Sequence, residues 1–491
     1  MQALRLRRNA LLLIAAVALA ASSGGAFAQK MYSRGGSQTV NTGKPTVSTP
    51  PMRGGYHSGG HYGGWRGPGI IVAVPPGGRF IDDGDFGPPG GPRRSAGGGR
   101  GPSGAPPAGE RRLVPDEVLI AVGNAVTPAQ IDALQRRFRL TRIEQQSFQL
   151  TGTTLYRWRI PDRRAVATVV RALERESVVA SAQPNYLFTL QQDAAKPAGD
   201  GAQYALAKLH LPQAHALAKG DDVRVAVIDS GIDVSSPELA GSIADTFDTL
   251  PAPATPHKHG TAIAGLIAAH GKLTGAAPDA RILAVRAFNP EGAGAQGSTY
   301  NILKGLDWAA AHGARVINMS FAGPGDPGIH RALAAAYKKG IVLVAAAGNA
   351  GPKSPPLYPA ADANVIAVTA TDAGDKLLAQ SNRGPHIAIA APGDHILVAL
   401  PAGGYEVSSG TSYAAAEVTG IVALMLERKP GLTPSEVRGI LQATARDLGP
   451  KGPDAMFGAG LADAYGAIMA EGAPALASAP RPAERVSTGA R

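Results

Sequence analysis

Short apolar runs alternate with longer amphipathic segments between residues 204 and 470. The runs are rich in Val, Ile and Ala and end at small or polar residues, as strands buried on both faces of a parallel sheet do. The predicted strands are 224–229, 281–285, 316–320, the run that begins at 341, 364–368 and 386–390. The predicted helices are 261–269, 299–312, 328–339, the segment from Ser412 through the apolar run 421–426, and 434–445. This alternation predicts an α/β fold with a doubly wound, mostly parallel sheet and a site at the carboxyl ends of its strands.

A second pattern lies before it, in residues 112–195. Strand signals cover 113–122, 142–150, 154–160 and 178–188, and helix signals cover 128–138 and 163–173. Thr127 is the expected N-cap of the first helix because Pro128 suits the first helical position. The order βαββαβ predicts a small α+β sandwich.

The flanking segments lack the periodicity of a folded unit. Residues 1–28 combine three arginines, an apolar run over 11–21 and an Ala-Phe-Ala ending, which is the pattern of a secretory signal peptide. Residues 29–111, rich in Gly, Pro and Arg, and the tail 471–491 cannot bury enough apolar surface to offset chain entropy, and we expect them to be disordered. No other stretch suits a transmembrane helix. The protein is therefore expected in the periplasm, on the cell surface or secreted.

Charge and cysteine content narrow the function classes. The net charge is +11, but residues 1–112 hold 14 of the 48 basic residues and only 4 of the 37 acidic ones. Residues 113–470 hold 31 of each, so the folded part is neutral and no nucleic-acid partner is expected. The chain has no cysteine, which excludes disulfides, thiolate zinc sites and cysteine-protease chemistry.

Four local motifs carry candidate chemistry. Asp229 ends a predicted buried strand, His259 and Ser412 each head a small-residue helix, and Asn349 follows a buried strand in a Gly-flanked turn. Each has an ordinary structural explanation when it is taken alone, since Ser and His cap helices and Asp and Asn form turns. Asp, His and Ser in this chain order can also supply a nucleophile, a base and an orienting carboxylate.

Together, the segments Asp229-Ser230-Gly231, His259-Gly260-Thr261, Ala347-Gly348-Asn349 and Gly410-Thr411-Ser412 resemble the motifs of the subtilisin-like serine proteases, the subtilase or S8 family. The resemblance implies a subtilisin-like fold and an exported serine endopeptidase that needs no cofactor. Asp229, His259 and Ser412 would form its catalytic triad, and Asn349 would donate to the oxyanion. The stretch Ser320, Phe321, Ala322 and Gly323 resembles the strand edge to which the family's polypeptide substrates add.

The resemblance extends to residues 112–195, which are similar in element order and in their Pro-Asn-Tyr ending to the family's inhibitory propeptide. This implies a zymogen whose propeptide, as an intramolecular partner, covers the catalytic domain at residues 203–470 and is cut off between Thr189 and Ala202. A structural calcium ion is compatible with the family, although no calcium loop is recognisable.

Some residues depart from the family pattern. Ala262 stands where most members have His, Ala416 where they have Pro, and Tyr413 where they have Met. None of these supplies a triad atom. His257 is an alternative base, and a catalytically inactive binding module of the cell envelope is an alternative function. An α/β-hydrolase esterase is excluded because the chain has no Gly-x-Ser-x-Gly pentapeptide.

Overall fold

The computed structural model describes residues 103–191 and 203–470, except 252, 254, 292 and 293. The predicted signal peptide, nearly all of the predicted disordered arm and the C-terminal tail lie outside the described residues. No helix in the described part of the chain is long and apolar enough to cross a membrane.

The N-terminal part of the described chain has the order βαββαβ. Its elements are β1 (Leu113–Gly123), α1 (Pro128–Phe138), β2 (Thr141–Phe148), β3 (Thr153–Arg159), α2 (Val166–Leu173) and β4 (Ser181–Leu190). The strands pair antiparallel in the order β2-β3-β1-β4. Thr127 is the N-cap of α1, as the sequence predicts, and it forms a reciprocal capping box with Gln130. The buried Trp158 and the apolar faces of α1 and α2 form its core.

Two boundaries of this unit differ from the expectation. The second helix begins at Val166 and not at residue 163, because Arg163 adopts a left-handed backbone at φ 60° that cannot continue a right-handed helix. At the other boundary, the packed chain begins before residue 112: the Gly104 N–H and the Ser103 hydroxyl donate to the Glu174 carboxylate at 2.5 and 2.7 Å. Residues 103–111 thus belong to this unit rather than to the arm.

The C-terminal part is an α/β unit. Its first elements are α3 (Tyr204–Lys208), α4 (Leu211–His215), β5 (Arg224–Asp229), β6 (Ile243–Asp248), α5 (Lys258–Ala268), β7 (Arg281–Arg286), β8 (Phe288–Glu291), β9 (Gly294–Ser298), α6 (Thr299–Ala311), β10 (Val316–Met319), β11 (Phe321–Ala322) and α7 (Pro327–Lys338). The remaining elements are β12 (Val342–Ala346), β13 (Val365–Thr371), β14 (Ile387–Pro392), β15 (Ile396–Ala399), β16 (Tyr405–Ser408), α8 (Thr411–Arg428), α9 (Pro434–Thr444) and α10 (Ala464–Met469).

Seven parallel strands form the main sheet in the order β14-β13-β12-β10-β5-β7-β6. Alternate side chains of the central strand β5 enter different cores. Val225 and Val227 pack with α5 and α8, whereas Ala226 and Ile228 pack with α6 and α7. Both faces are covered, which explains why the strands are continuously apolar. The predicted α/β class and parallel sheet are confirmed.

Strand β4 joins the two parts of the chain. Its first half pairs with β1, and its second half lies between β9 and β11, antiparallel to both. Phe188 is opposite Gly297 of β9, and Leu190 is opposite Phe321 of β11. The end of β4 therefore enters the α/β unit as a middle strand.

The α+β unit also contacts the N-terminal ends of α6 and α7. The Tyr186 N–H donates to Thr299 Oγ1 at 3.0 Å, and Gln183 Nε2 donates to Asp326 Oδ1 at 2.7 Å. The Asp326 carboxyl is buried, and its removal from water raises its pKa. Hydrogen bonds from the Thr299 hydroxyl, from the Gln183 side chain and from two main-chain N–H groups partly oppose this rise. A cavity of about 30 Å³ lies in this contact.

Candidate active site

A buried carboxylate and a buried imidazole meet where β5 ends and α5 begins. Asp229 Oδ1 lies 2.7 Å from His259 Nδ1, and both side chains have no exposed surface. The same oxygen accepts from the Ser230 N–H at 2.7 Å and from the Ser230 hydroxyl at 3.1 Å. Because a carboxylate only accepts, His259 Nδ1 carries a hydrogen, and in the neutral imidazole with this tautomer Nε2 is the acceptor. Nε2 is buried and has no hydrogen-bond partner among the described residues.

The second histidine of this region has a different environment. His257 is the N-cap of α5, and its Nδ1 lies 2.9 Å from Ser230 Oγ and accepts from the His259 N–H at 3.4 Å. Burial lowers its pKa, and the nearby Asp229 opposes this only in part. The carboxylate of Asp229 thus contacts His259 and not His257.

Ser412 is the second residue of α8 and is fully buried. Its hydroxyl lies 2.5 Å from the main-chain oxygen of Gln191 and 3.1 Å from that of Ser320. No bond between Ser412 and His259 is formed in this conformation. The two residues nevertheless belong to the same part of the site, since the ring of Tyr413, the next residue along α8, has its centroid 6.2 Å from that of His259.

Asn349 follows β12 and faces the start of α8. Its Oδ1 accepts from the Thr411 N–H at 3.1 Å and from the Thr411 hydroxyl at 2.8 Å. A main-chain N–H can only donate, so this contact fixes which end of the amide is the oxygen. The Nδ2 end is buried and has no partner in the described part of the chain. An unpaired buried donor next to a helix N-terminus can stabilise a negative charge.

The predicted substrate-binding stretch lies along the end of β4. The Gln191 N–H donates to the Ser320 main-chain oxygen at 3.3 Å, and Phe321 and Ala322 form β11, which pairs with β4. Gly323 makes room for the Phe188 ring, since a Cβ there would come within 2.2 Å of it. All four residues of the stretch therefore border β4, and the rings of Phe321 and Phe188 make an edge-to-face contact with their centroids 6.0 Å apart.

Three residues that contact the candidate site residues were not singled out from the sequence. Ser230 links Asp229 to α5 because its hydroxyl also accepts from the Gly260 N–H at 3.1 Å, and Thr411 orients Asn349. Both lie within motifs that the sequence analysis quoted, so their proximity to the site was a usable signal. Gln191 has no such signal, because its contact with Ser412 joins residues 221 positions apart.

The three residues that differ from the family pattern are buried. Ala262 and Ala416 are buried in α5 and α8, and the Tyr413 hydroxyl donates to Ser408 Oγ at 2.8 Å. Among the described residues, no group of three or more His, Asp and Glu side chains is arranged to hold a metal ion.

Helix α8 also carries an isolated acid. Glu417 is fully buried, and its Oε2 has no hydrogen-bond partner in the described structure. Burial without a compensating charge raises its pKa to about 8. The carboxyl is therefore protonated at neutral pH.

Comparisons with known proteins agree with this geometry. Residues 220–460 match the model of the subtilase family, Peptidase S8. Thermitase from Thermoactinomyces vulgaris is 36% identical over 275 residues, which are 54% of this chain and 96% of thermitase. Subtilisin E from Bacillus subtilis is 34% identical over 279 residues, covering 54% of this chain and 72% of that protein.

A solved structure covers more of the chain. The crystal structure of fervidolysin from Fervidobacterium pennivorans, described as a keratinolytic enzyme related to subtilisin, superposes with a TM-score of 0.64 at 25% identity. The match covers 75% of this chain and 62% of the fervidolysin chain, which is less than two thirds of the latter.

Proposed function

The chain belongs to the subtilase family and is a serine-type endopeptidase, and we propose that Ser412, His259 and Asp229 form its catalytic triad. The observation that carries this proposal is the buried Asp229–His259 pair at 2.7 Å, whose second imidazole nitrogen remains unpaired. The expected substrates are polypeptides bound in extended form along β11. The alternative of an inactive binding module has no observation in its favour, since all four functional positions are occupied by the family's residue types.

A serine hydroxyl is a weak nucleophile at its ordinary pKa and needs a base beside it. Rotation of the Ser412 side chain turns Oγ from Gln191 toward His259 Nε2, which takes the hydroxyl proton as Oγ attacks the peptide carbonyl carbon. Asp229 holds the imidazole in the tautomer with a free Nε2 and stabilises the imidazolium that forms. The imidazolium then donates its proton to the leaving nitrogen, the C–N bond breaks, and an ester on Ser412 remains. Water hydrolyses this ester by the same steps.

The carbonyl oxygen becomes negatively charged in the tetrahedral intermediate. Asn349 Nδ2 and the Ser412 N–H at the start of α8 are the donors that receive it. Their contribution is large because they are already oriented: Thr411 fixes the Asn349 amide before substrate binds. Loss of one such donor typically costs about 2.7 to 4 kcal/mol of transition-state stabilisation.

The enzyme is made as a zymogen, and residues 103–191 are its propeptide. The support is the position of β4, which occupies the strand edge of the substrate and brings the Gln191 carbonyl oxygen to 2.5 Å from Ser412 Oγ. Of the two main-chain carbonyls that contact Ser412 Oγ, that of Gln191 is the nearer, and we assign self-cleavage to the peptide bond that follows it. After cleavage, the α+β unit stays in the groove as an inhibitor until it dissociates. Export follows the signal peptide expected at residues 1–28.

A fluorophosphonate probe tests the nucleophile. We expect the wild type to take up one label on Ser412, and the Ser412→Ala variant to take up none. Ser435→Ala, at an exposed serine in the first turn of α9, is the matched control and should label like the wild type. Labelling of Ser412→Ala to the wild-type extent would reject the assignment. Limited proteolysis before labelling removes the inhibitory α+β unit, so that a missing label cannot be due to a blocked site.

A further inference from the structure

We propose that this protease selects glutamine as the residue before the scissile bond, and that the main-chain N–H of Asn349 is the group that reads it. This inference rests on the proposed function, since it takes Gln191 as the residue on the acyl side of the cleaved bond. It concerns substrate selection, which the triad and the oxyanion donors leave undetermined.

The side chain of Gln191 makes polar contacts at both ends. Its Oε1 accepts from the Asn349 N–H at 2.9 Å. Its Nε2 turns back on its own strand and donates to the main-chain oxygens of Thr189 at 3.1 Å and Leu190 at 3.3 Å, and to Thr189 Oγ1 at 3.3 Å. The Oε1 end of the amide is therefore bound by a donor of the enzyme, and the Nε2 end is bound by acceptors of the substrate strand itself.

The donor on the enzyme is held rigidly. The Asn349 side chain is fixed by two bonds to Thr411, and the preceding Gly348 N–H donates to Thr411 Oγ1 at 3.1 Å. Gly348 has φ 107°, a backbone conformation that favours glycine, and the Ala350 N–H on the other side of Asn349 donates to Asn382 Oδ1 at 2.9 Å. Asn349 thus supplies two donors: its side-chain Nδ2 for the oxyanion and its main-chain N–H for the substrate side chain.

This arrangement discriminates among side chains of similar size. Methionine has the length of glutamine but no strong acceptor, so the Asn349 N–H is left unpaired once the substrate excludes water. Glutamate can accept from Asn349, but its second oxygen faces the main-chain oxygens of Thr189 and Leu190, which repel it. Asparagine is one methylene shorter and cannot reach both sets of partners. Sites built around a hydrogen bond reject analogues that lack it more strongly than apolar pockets reject size changes.

The test uses the full-length protein after it has processed itself, with Ser412→Ala as the blank. Internally quenched peptides carry Phe-Thr-Leu, the sequence of residues 188–190, followed by Gln, Met, Glu or Asn before the cleaved bond. We expect kcat/KM for Gln to exceed that for Met and Asn by about 10-fold to 100-fold, and Glu to be the poorest. Equal or faster cleavage after Met would overturn the inference while leaving the protease assignment intact.

A second arm uses the chain as its own substrate. Gln191→Met and Gln191→Glu should slow self-cleavage by at least about tenfold, whereas Gln145→Met, on the exposed part of β2, should process at the wild-type rate. Unchanged processing in the Gln191 variants would count against side-chain selection. If the wild type cleaves no peptide above the Ser412→Ala blank, the proposed function fails and this inference fails with it.

Discussion

Replacing Glu417 with glutamine should stabilise the protein, and the gain should grow with pH. The Glu417 carboxyl is buried in α8, has one oxygen without a partner and has a pKa raised from 4.5 to about 8. A folded-state pKa above the unfolded one means that the native state binds the proton more tightly. The stability associated with that proton is fully present below about pH 4.5 and is lost as the pH rises through about 8.

The size of the effect follows from the shift. Each pH unit between the unfolded and folded pKa values removes about 1.4 kcal/mol of unfolding free energy. Between 4.5 and about 8 this amounts to roughly 5 kcal/mol at pH 9, about 3 kcal/mol at pH 7 and under about 1 kcal/mol at pH 5. Glutamine has the shape of protonated glutamate and does not ionise, so Glu417→Gln should recover these amounts.

Urea unfolding at pH 5, 7 and 9 measures this directly. Both proteins carry Ser412→Ala so that self-digestion does not interfere with the unfolding equilibrium. Glu406→Gln, the same substitution at a half-buried position on β16, is the matched control and should shift stability by a similar small amount at all three pH values. A gain from Glu417→Gln that is the same at pH 5 and pH 9 would refute the reasoning.

Three further outcomes are expected. Asn349→Ala should lower kcat by about 10² to 10³ with little change in KM, because its Nδ2 acts only on the oxyanion; steady-state kinetics on a quenched peptide check this. Gly323→Ala should raise KM for peptides that place a Phe ring like that of Phe188, and not for peptides with Ala there, since the new Cβ would overlap the ring. Burial raises the pKa of Asp307, and the Leu150 N–H, which donates to its carboxylate at 2.7 Å, opposes this rise only in part, so inhibition by the cleaved α+β unit should weaken as the pH rises above the ordinary pKa of an aspartate. Asp307→Asn should flatten that pH dependence of the inhibition constant.

The sequence predicted the elements that have strong local patterns. Strands such as β5 and helices such as α8 are predictable because their apolar runs are bounded by turn residues, and the N-cap of α1 is predictable from Thr127 and Pro128. The same applies to the candidate site, since Asp229, His259, Asn349 and Ser412 lie at the ends of such elements.

Two of the strands that the sequence did not predict pair with β4, a distant part of the chain. Strand β9, Gly294–Ser298, is rich in small residues, and the two-residue β11 is defined only by its pairing with β4. No local pattern encodes these pairings. The contact of Gln191 with Asn349 spans 158 residues, so neither the register of β4 in the groove nor the bond that we propose to be cleaved could be derived from composition or periodicity. Both followed only once the antiparallel pairing was known.

We propose that Ser412 attacks the chain held in its own groove. Intact mass spectrometry of the purified full-length protein tests it, with wild type and Ser412→Ala prepared in parallel. The account predicts that the wild type separates into two pieces divided after Gln191, while Ser412→Ala stays whole. A cut at the same bond in Ser412→Ala, or a wild type that is divided only at other bonds, would contradict it.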